Sequence, residues 1–82
     1  MEGQLIGQVI DYFKHVKAAA IKLSAPLKVG DKIKLVGGEK QIEMTVTEMQ
    51  INRKPVKEAK KGDDVGILVP EDVHKNYRVY KL

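Results

Sequence analysis

The sequence predicts an all-β domain, a small barrel or sandwich, on three observations. Apolar residues recur at period two in short runs, turn signals fall every eight to twelve residues, and no stretch carries a convincing helical stripe. In 82 residues a closed barrel is the favoured form, because closure removes the sheet edges that otherwise invite aggregation.

The first strand is expected over Leu5–Phe13, with Leu5, Gly7, Val9 and Phe13 on one face and Gln8 and Tyr12 on the other. Gly7 inside it signals a bend or a close backbone approach, and Asp11 interrupts the apolar face as a bulge or edge would. Val16–Leu23 is the next strand, with Ala19, Ile21 and Leu23 alternating against an outward Lys22. Its three consecutive alanines favour helix by propensity. The absence of an amphipathic run around them makes strand the better reading.

Ser24-Ala25-Pro26 turns the chain, and Gly30 in Val29-Gly30-Asp31 supplies the positive φ of a tight turn. Lys32–Val36 alternates polar and apolar residues, and Gly37-Gly38-Glu39-Lys40 makes a short connection. A long strand comes next. Ile42, Met44 and Val46 point inward, whereas Met49 and Ile51 take the opposite parity, the mark of a β-bulge that turns a corner. Asn52–Pro55 is a loop, Val56–Ala59 a short extended piece, and Lys60-Lys61-Gly62-Asp63 another turn. Val65–Val69 reads as a strand covered on both faces, and Tyr77–Leu82 as the last.

Composition excludes several function classes. There is no cysteine, hence no disulfide framework or thiolate metal site. With neither staples nor a signal-type N-terminus at Met1-Glu2-Gly3-Gln4, the cytoplasm is the default compartment. The chain starts with Met and reads as one complete domain, residues 1–82, without a membrane segment. Ser24, His15 and His74 lack the neighbours that would make them nucleophile, base or ligand. Asp63-Asp64 and Glu71-Asp72 are adjacent carboxylates, which an extended chain points to opposite sides. No phosphate-cradling glycine loop exists, so nucleotide binding of that kind is not expected. The reading is of a non-enzyme that needs no cofactor and no metal.

The excess charge has one location. Arg53, Lys54, Lys57, Lys60 and Lys61 face a single Glu58, and the rest of the chain is charge-balanced around a formal net charge of +4. Such a basic stretch is either a solvated connection or a footprint for an anionic partner. Aromatic residues are few and scattered, with Tyr12 the best candidate for stacking.

Three stretches fall in order along the chain: Lys28-Val29-Gly30-Asp31-Lys32-Ile33, then Gly37-Gly38, then Glu58-Ala59-Lys60-Lys61-Gly62-Asp63-Asp64-Val65-Gly66-Ile67. Together they resemble the second domain of translational GTPases, such as elongation factor Tu and initiation factor two. The resemblance also extends to short stand-alone elongation factor-like proteins and to the C-terminal barrel of some collagenase-like peptidases. It implies a six-stranded closed antiparallel Greek-key barrel with a role in protein biosynthesis. It further implies contact with tRNA or ribosomal RNA through Glu48, Met49, Gln50 and the stretch Arg53–Lys61. The alternative it carries is a protein-interaction module that docks on a GTPase-like or peptidase-like partner through the face its relatives use between domains.

Overall fold

The computed structural model describes residues 3–82; Met1 and Glu2, on which the expectation about the N-terminus partly rests, lie outside the described residues. The chain is all-β and antiparallel. Its strands are β1 (Gln4–Phe13), β2 (Ala18–Leu23), β3 (Leu27–Lys28), β4 (Lys32–Gly37), β5 (Lys40–Thr45), β6 (Met49–Ile51), β7 (Lys54–Val56), β8 (Glu58–Ala59), β9 (Asp64–Leu68) and β10 (Arg78–Lys81). Eight of them form one sheet in the order β5-β4-β10-β1-β2-β9-β6-β7, and β3 pairs with β8 as a separate ribbon.

This differs from the expected six-stranded closed barrel. One run that reads as a single long strand is two, and the stretch after it also divides differently from expectation. The 42–51 run breaks at Val46-Thr47-Glu48, so β5 sits at one end of the sheet and β6 near the other. Lys54 and Pro55, expected in a loop, belong to β7, and the extended piece expected over Val56–Ala59 breaks at Lys57, which separates β7 from the β3–β8 ribbon. Among the described residues no ladder pairs β5 with β7. Instead the segment after β3 reaches both ends of the sheet. The Val29 amide donates to the Lys57 carbonyl at 2.8 Å, the Gly30 amide to the Val46 carbonyl at 2.7 Å, and the Val46 amide to the Asp31 carbonyl at 2.9 Å.

Two turns share one construction. In Lys28–Asp31 and again in Lys60–Asp63, the aspartate carboxylate accepts from the backbone N–H three residues earlier, at 2.9 Å in both. The aspartate's own N–H donates back to the carbonyl of that same residue, at 3.1 and 3.0 Å. Gly30 and Gly62 hold φ of 97° and 92°, a region open to glycine at no steric cost. The equivalent residues Leu27 and Ala59 pair with each other across the ribbon. The two Gly-Asp signatures are thus two copies of one local device.

The core consists of one cluster that includes Ile6, Val9, Ile21, Ile33, Leu35, Met49, Ile67 and Val79, with no buried charged or polar side chain among the described residues. In β1 the register slips twice, between Leu5 and Gly7 and between Val9 and Asp11. The second slip is the irregularity that Asp11 signals. Each slip reverses the face taken by the residues after it. Ile6 is therefore buried where Leu5 was expected to be, and Tyr12 packs on the core while Phe13 stands 43% exposed. Gly7 is a close approach, as expected: a Cβ there would lie 2.8 Å from the Lys22 carbonyl oxygen. The strand expected to be covered on both faces is not. Val65 and Ile67 of β9 are buried, but Leu68 is 46% exposed.

Candidate functional site

Strand parity decides which residues reach the outside of β1, β2, β9 and β6. Cross-strand partners Phe13, Ala18 and Leu68 form one outward row, and Asp11, Ala20, Gly66 and Gln50 the next. Ala18, Ala20 and Gly66 are too small to fill this face, so a groove of about 590 Å³ lies over them. Phe13, His15 and Val16, from the end of β1 and the β1–β2 turn, border it on one side. Gln50, Asn52 and Arg53, from β6 and the β6–β7 turn, border it on another. A smaller adjoining cavity of about 270 Å³ shares Val16, Ala18, Gln50 and Gly66, and adds Glu48 and Leu68. Val16 is 51% exposed, so the groove's apolar wall is open to solvent.

Arg53 owes its position to a two-residue hairpin turn. Ile51 pairs with Lys54, which leaves Asn52 and Arg53 as the loop with φ of 53° and 66°. Positive φ at both positions is what the right-handed twist of a tight hairpin demands. None of the side-chain hydrogen bonds or ion pairs among the described residues involves Gln50, Asn52 or Arg53.

The five basic residues do not share one cavity. Arg53 borders the groove just described, and Lys57 lines a different one of about 450 Å³ with Val29, Glu48, Met49 and Gln50. Lys54 lies on β7, opposite Ile51. Lys60 and Lys61 belong to the second Gly-Asp turn, whose Gly62 amide is bonded to the Leu23 carbonyl at the far end of β2. All five are exposed, whereas Met49 is buried and belongs to the core. Tyr12 is not the outward aromatic; the bulge gives that place to Phe13.

The Tyr12 hydroxyl instead donates to the Asp72 carboxylate at 2.8 Å. Lys40 Nζ donates to the Asp72 carbonyl at 3.0 Å and pairs with Glu71 at 3.5 Å, which fastens the 69–77 loop to the sheet. The Tyr12 hydrogen bond holds the Asp72 carboxyl below its ordinary value. Local desolvation opposes it, and the nearby charges of Lys14, Lys17 and Lys40 reinforce it.

Ser24, His15 and His74 lie apart: Ser24 lines a cavity with Leu5, Ile10 and Arg78, His15 borders the groove, and His74 meets the Tyr77 ring edge-on at 5.9 Å. Among the described residues no three His, Asp or Glu side chains are placed to hold a metal. No helix among them is long and apolar enough to cross a membrane.

No protein-family model matches the chain. It is 42% identical over 78 residues to the uncharacterized protease MJ0090 of Methanocaldococcus jannaschii, a match that covers 94% of this chain but 19% of that protein. The chain therefore spans about a fifth of the curated relative it matches.

Among solved structures, the C-terminal domain of a Geobacillus thermoleovorans protein named for the U32 peptidases superposes with a TM-score of 0.91. Its identity is 15%, and the superposition covers 95% of this chain and 99% of that one. A second structure of that domain gives 0.90 at 15% identity, over 96% and 92% of the two chains. At that identity the likeness is one of fold.

These relatives overturn the resemblance to translation factors, and with it the assignment to protein biosynthesis. The physical reason is visible in the twin turns. A Gly-Asp turn with a carboxylate cap is a general solution to entering an antiparallel strand, so its repetition describes geometry and not ancestry. The fold that this chain shares is that of a peptidase C-terminal domain.

Proposed function

We propose that this chain is a non-catalytic accessory module that docks on a peptidase-like polypeptide, within one chain or between two. The observation that carries this reading is the 42% identity to a protease of which the chain matches one fifth. That fifth corresponds in fold to a domain solved by itself as the C-terminal part of a peptidase-named protein, which also supports treating this chain as one domain. The open apolar groove over β2 and β9 supplies a face for docking, and the separation of Ser24, His15 and His74 supports a role without chemistry. The bonds from Val29, Gly30 and Asp31 to both ends of the sheet support a barrel-like body closed by that segment in place of a direct ladder.

An affinity pull-down from native lysate, run with and without nuclease, tests the reading. A peptidase-like polypeptide with measurable hydrolytic activity is expected in both arms. Recovery that disappears with nuclease, or recovery of RNA alone, would overturn it in favour of the basic stretch as an RNA contact.

A further inference from the structure

The groove over β2 and β9 combines three features that an ordinary outer sheet face lacks. Its floor is empty by construction: a Cβ added to Gly66 would meet nothing within 4 Å, and Ala18 and Ala20 stand beside it. Its apolar border is exposed, through Phe13, Val16 and the neighbouring Leu68. Opposite them stands Arg53, held in the left-handed region at a position where glycine is the unstrained choice. The guanidinium and the amides of Gln50 and Asn52 are uncommitted within the described residues. A planar cation with free donors matches a carboxylate bidentately.

We infer that the groove receives an apolar segment of the peptidase-like polypeptide, and that an acidic side chain on this segment is clamped by Arg53. This rests on the docking reading above and adds the identity of the site and of its occupant. Charge and shape favour a peptide over a nucleic acid. Asp64 lines the groove and Glu48 the adjoining cavity, and each would repel a phosphate placed beside it. A peptide needs one carboxylate for Arg53 and apolar side chains for the rest. Phe13 alone provides no succession of stacking faces. At about 590 Å³ the groove has the size of a pocket for a few side chains.

A phage-displayed dodecapeptide library selected on the 82-residue chain, and in parallel on Arg53→Glu, tests the assignment. On the unaltered chain, sequences that join Asp or Glu to Leu, Ile or Phe are expected; on Arg53→Glu the acid is expected to give way to Lys or Arg. A selected peptide should bind roughly tenfold more weakly to Arg53→Ala and to Gly66→Leu. It should also shift the amide resonances of Ala18, Ala20 and Gly66, with the dispersion of each variant's own spectrum confirming its fold. The same consensus on both proteins, no enrichment, shifts confined to the Leu5–Ile10 face, or tighter occupation of these amides by oligouridylate would each overturn the assignment. If the pull-down recovers the peptidase-like polypeptide equally with Gly66→Leu, the accessory-module reading stands and this groove is not its site. If peptides bind but no such polypeptide is recovered, the docking reading falls, and the segment's source with it.

Discussion

Strands β2 and β9 present two faces built on the same alternation, with opposite outcomes. Inward, Ala19, Ile21, Val65 and Ile67 are each at most 1% exposed. Outward, their immediate neighbours are Ala18, Ala20, Gly66 and Leu68, small or apolar, succeeded at the next register by the charged pair of positions Lys22 and Asp64. A solvated face would continue with charges and β-branched polar residues. This one changes character midway, from apolar and small to charged. The inner face is fixed by what the chain must bury. The outer face is not held to the same burial, and its composition accords with the docking proposed above.

The largest expected effect lies on the inner face. Ile67→Ala should lower unfolding free energy by about 2–5 kcal/mol, the usual cost of truncating a fully enclosed aliphatic side chain, as read from urea denaturation midpoints. On the outer side, substitutions should do the reverse. Arg53→Gly relieves a left-handed backbone that costs about 1–2 kcal/mol for a residue with a Cβ, against the roughly 0.5–1 kcal/mol by which glycine's freedom favours the unfolded chain. A net gain of about 0.5–1 kcal/mol is expected, together with loss of binding to any acidic peptide. Gly66→Ala adds a methyl group to open space, so it should stabilise by a few tenths to about 1 kcal/mol. Destabilisation by either outer substitution would mean that the outer face contributes to the fold after all, and the contrast between the faces would fail.

Fold class was legible because it depends on period and punctuation. The alternation of Lys32–Val36 and the glycines at 30 and 62 dictate strand and turn locally, and the structure places them so. What was hidden is register. A bulge shifts parity by one residue without any change in composition, and two of them in β1 exchange Leu5 with Ile6 and Tyr12 with Phe13. Asp11 gave warning of the second; nothing in Leu5-Ile6-Gly7 announced the first. The groove was hidden for a related reason. Ala18, Ala20 and Gly66 meet across strands far apart in sequence, and their smallness becomes a cavity only once they are neighbours. Arg53 was visible, but as one of five cations in a run. The tight turn at Asn52-Arg53 sets it apart from the other four.

The bulge that turns Phe13 outward also turns Tyr12 inward, and the smallest expected effect tests that exchange. The Tyr12 hydroxyl meets Asp72, so the two groups move each other's titration. The Asp72 carboxyl lies below its ordinary 3.8, first through the Tyr12 hydrogen bond. The Tyr12 phenol lies above its ordinary 10.0, first through partial burial and then through the bond to Asp72 and its negative charge. A lowered carboxyl favours the fold fully above its unfolded value, and the benefit disappears as pH falls through the folded one. A raised phenol favours the fold fully below its unfolded value, and the benefit disappears as pH rises through the folded one. The stability difference between the protein and Tyr12→Phe should therefore be flat between these limits and shrink at both ends, in parallel denaturation series across pH. A difference that stays constant to both extremes would mean that Tyr12 and Asp72 do not meet in solution. Tyr12 would then be free to face outward, and Phe13 would lose its place at the edge of the groove.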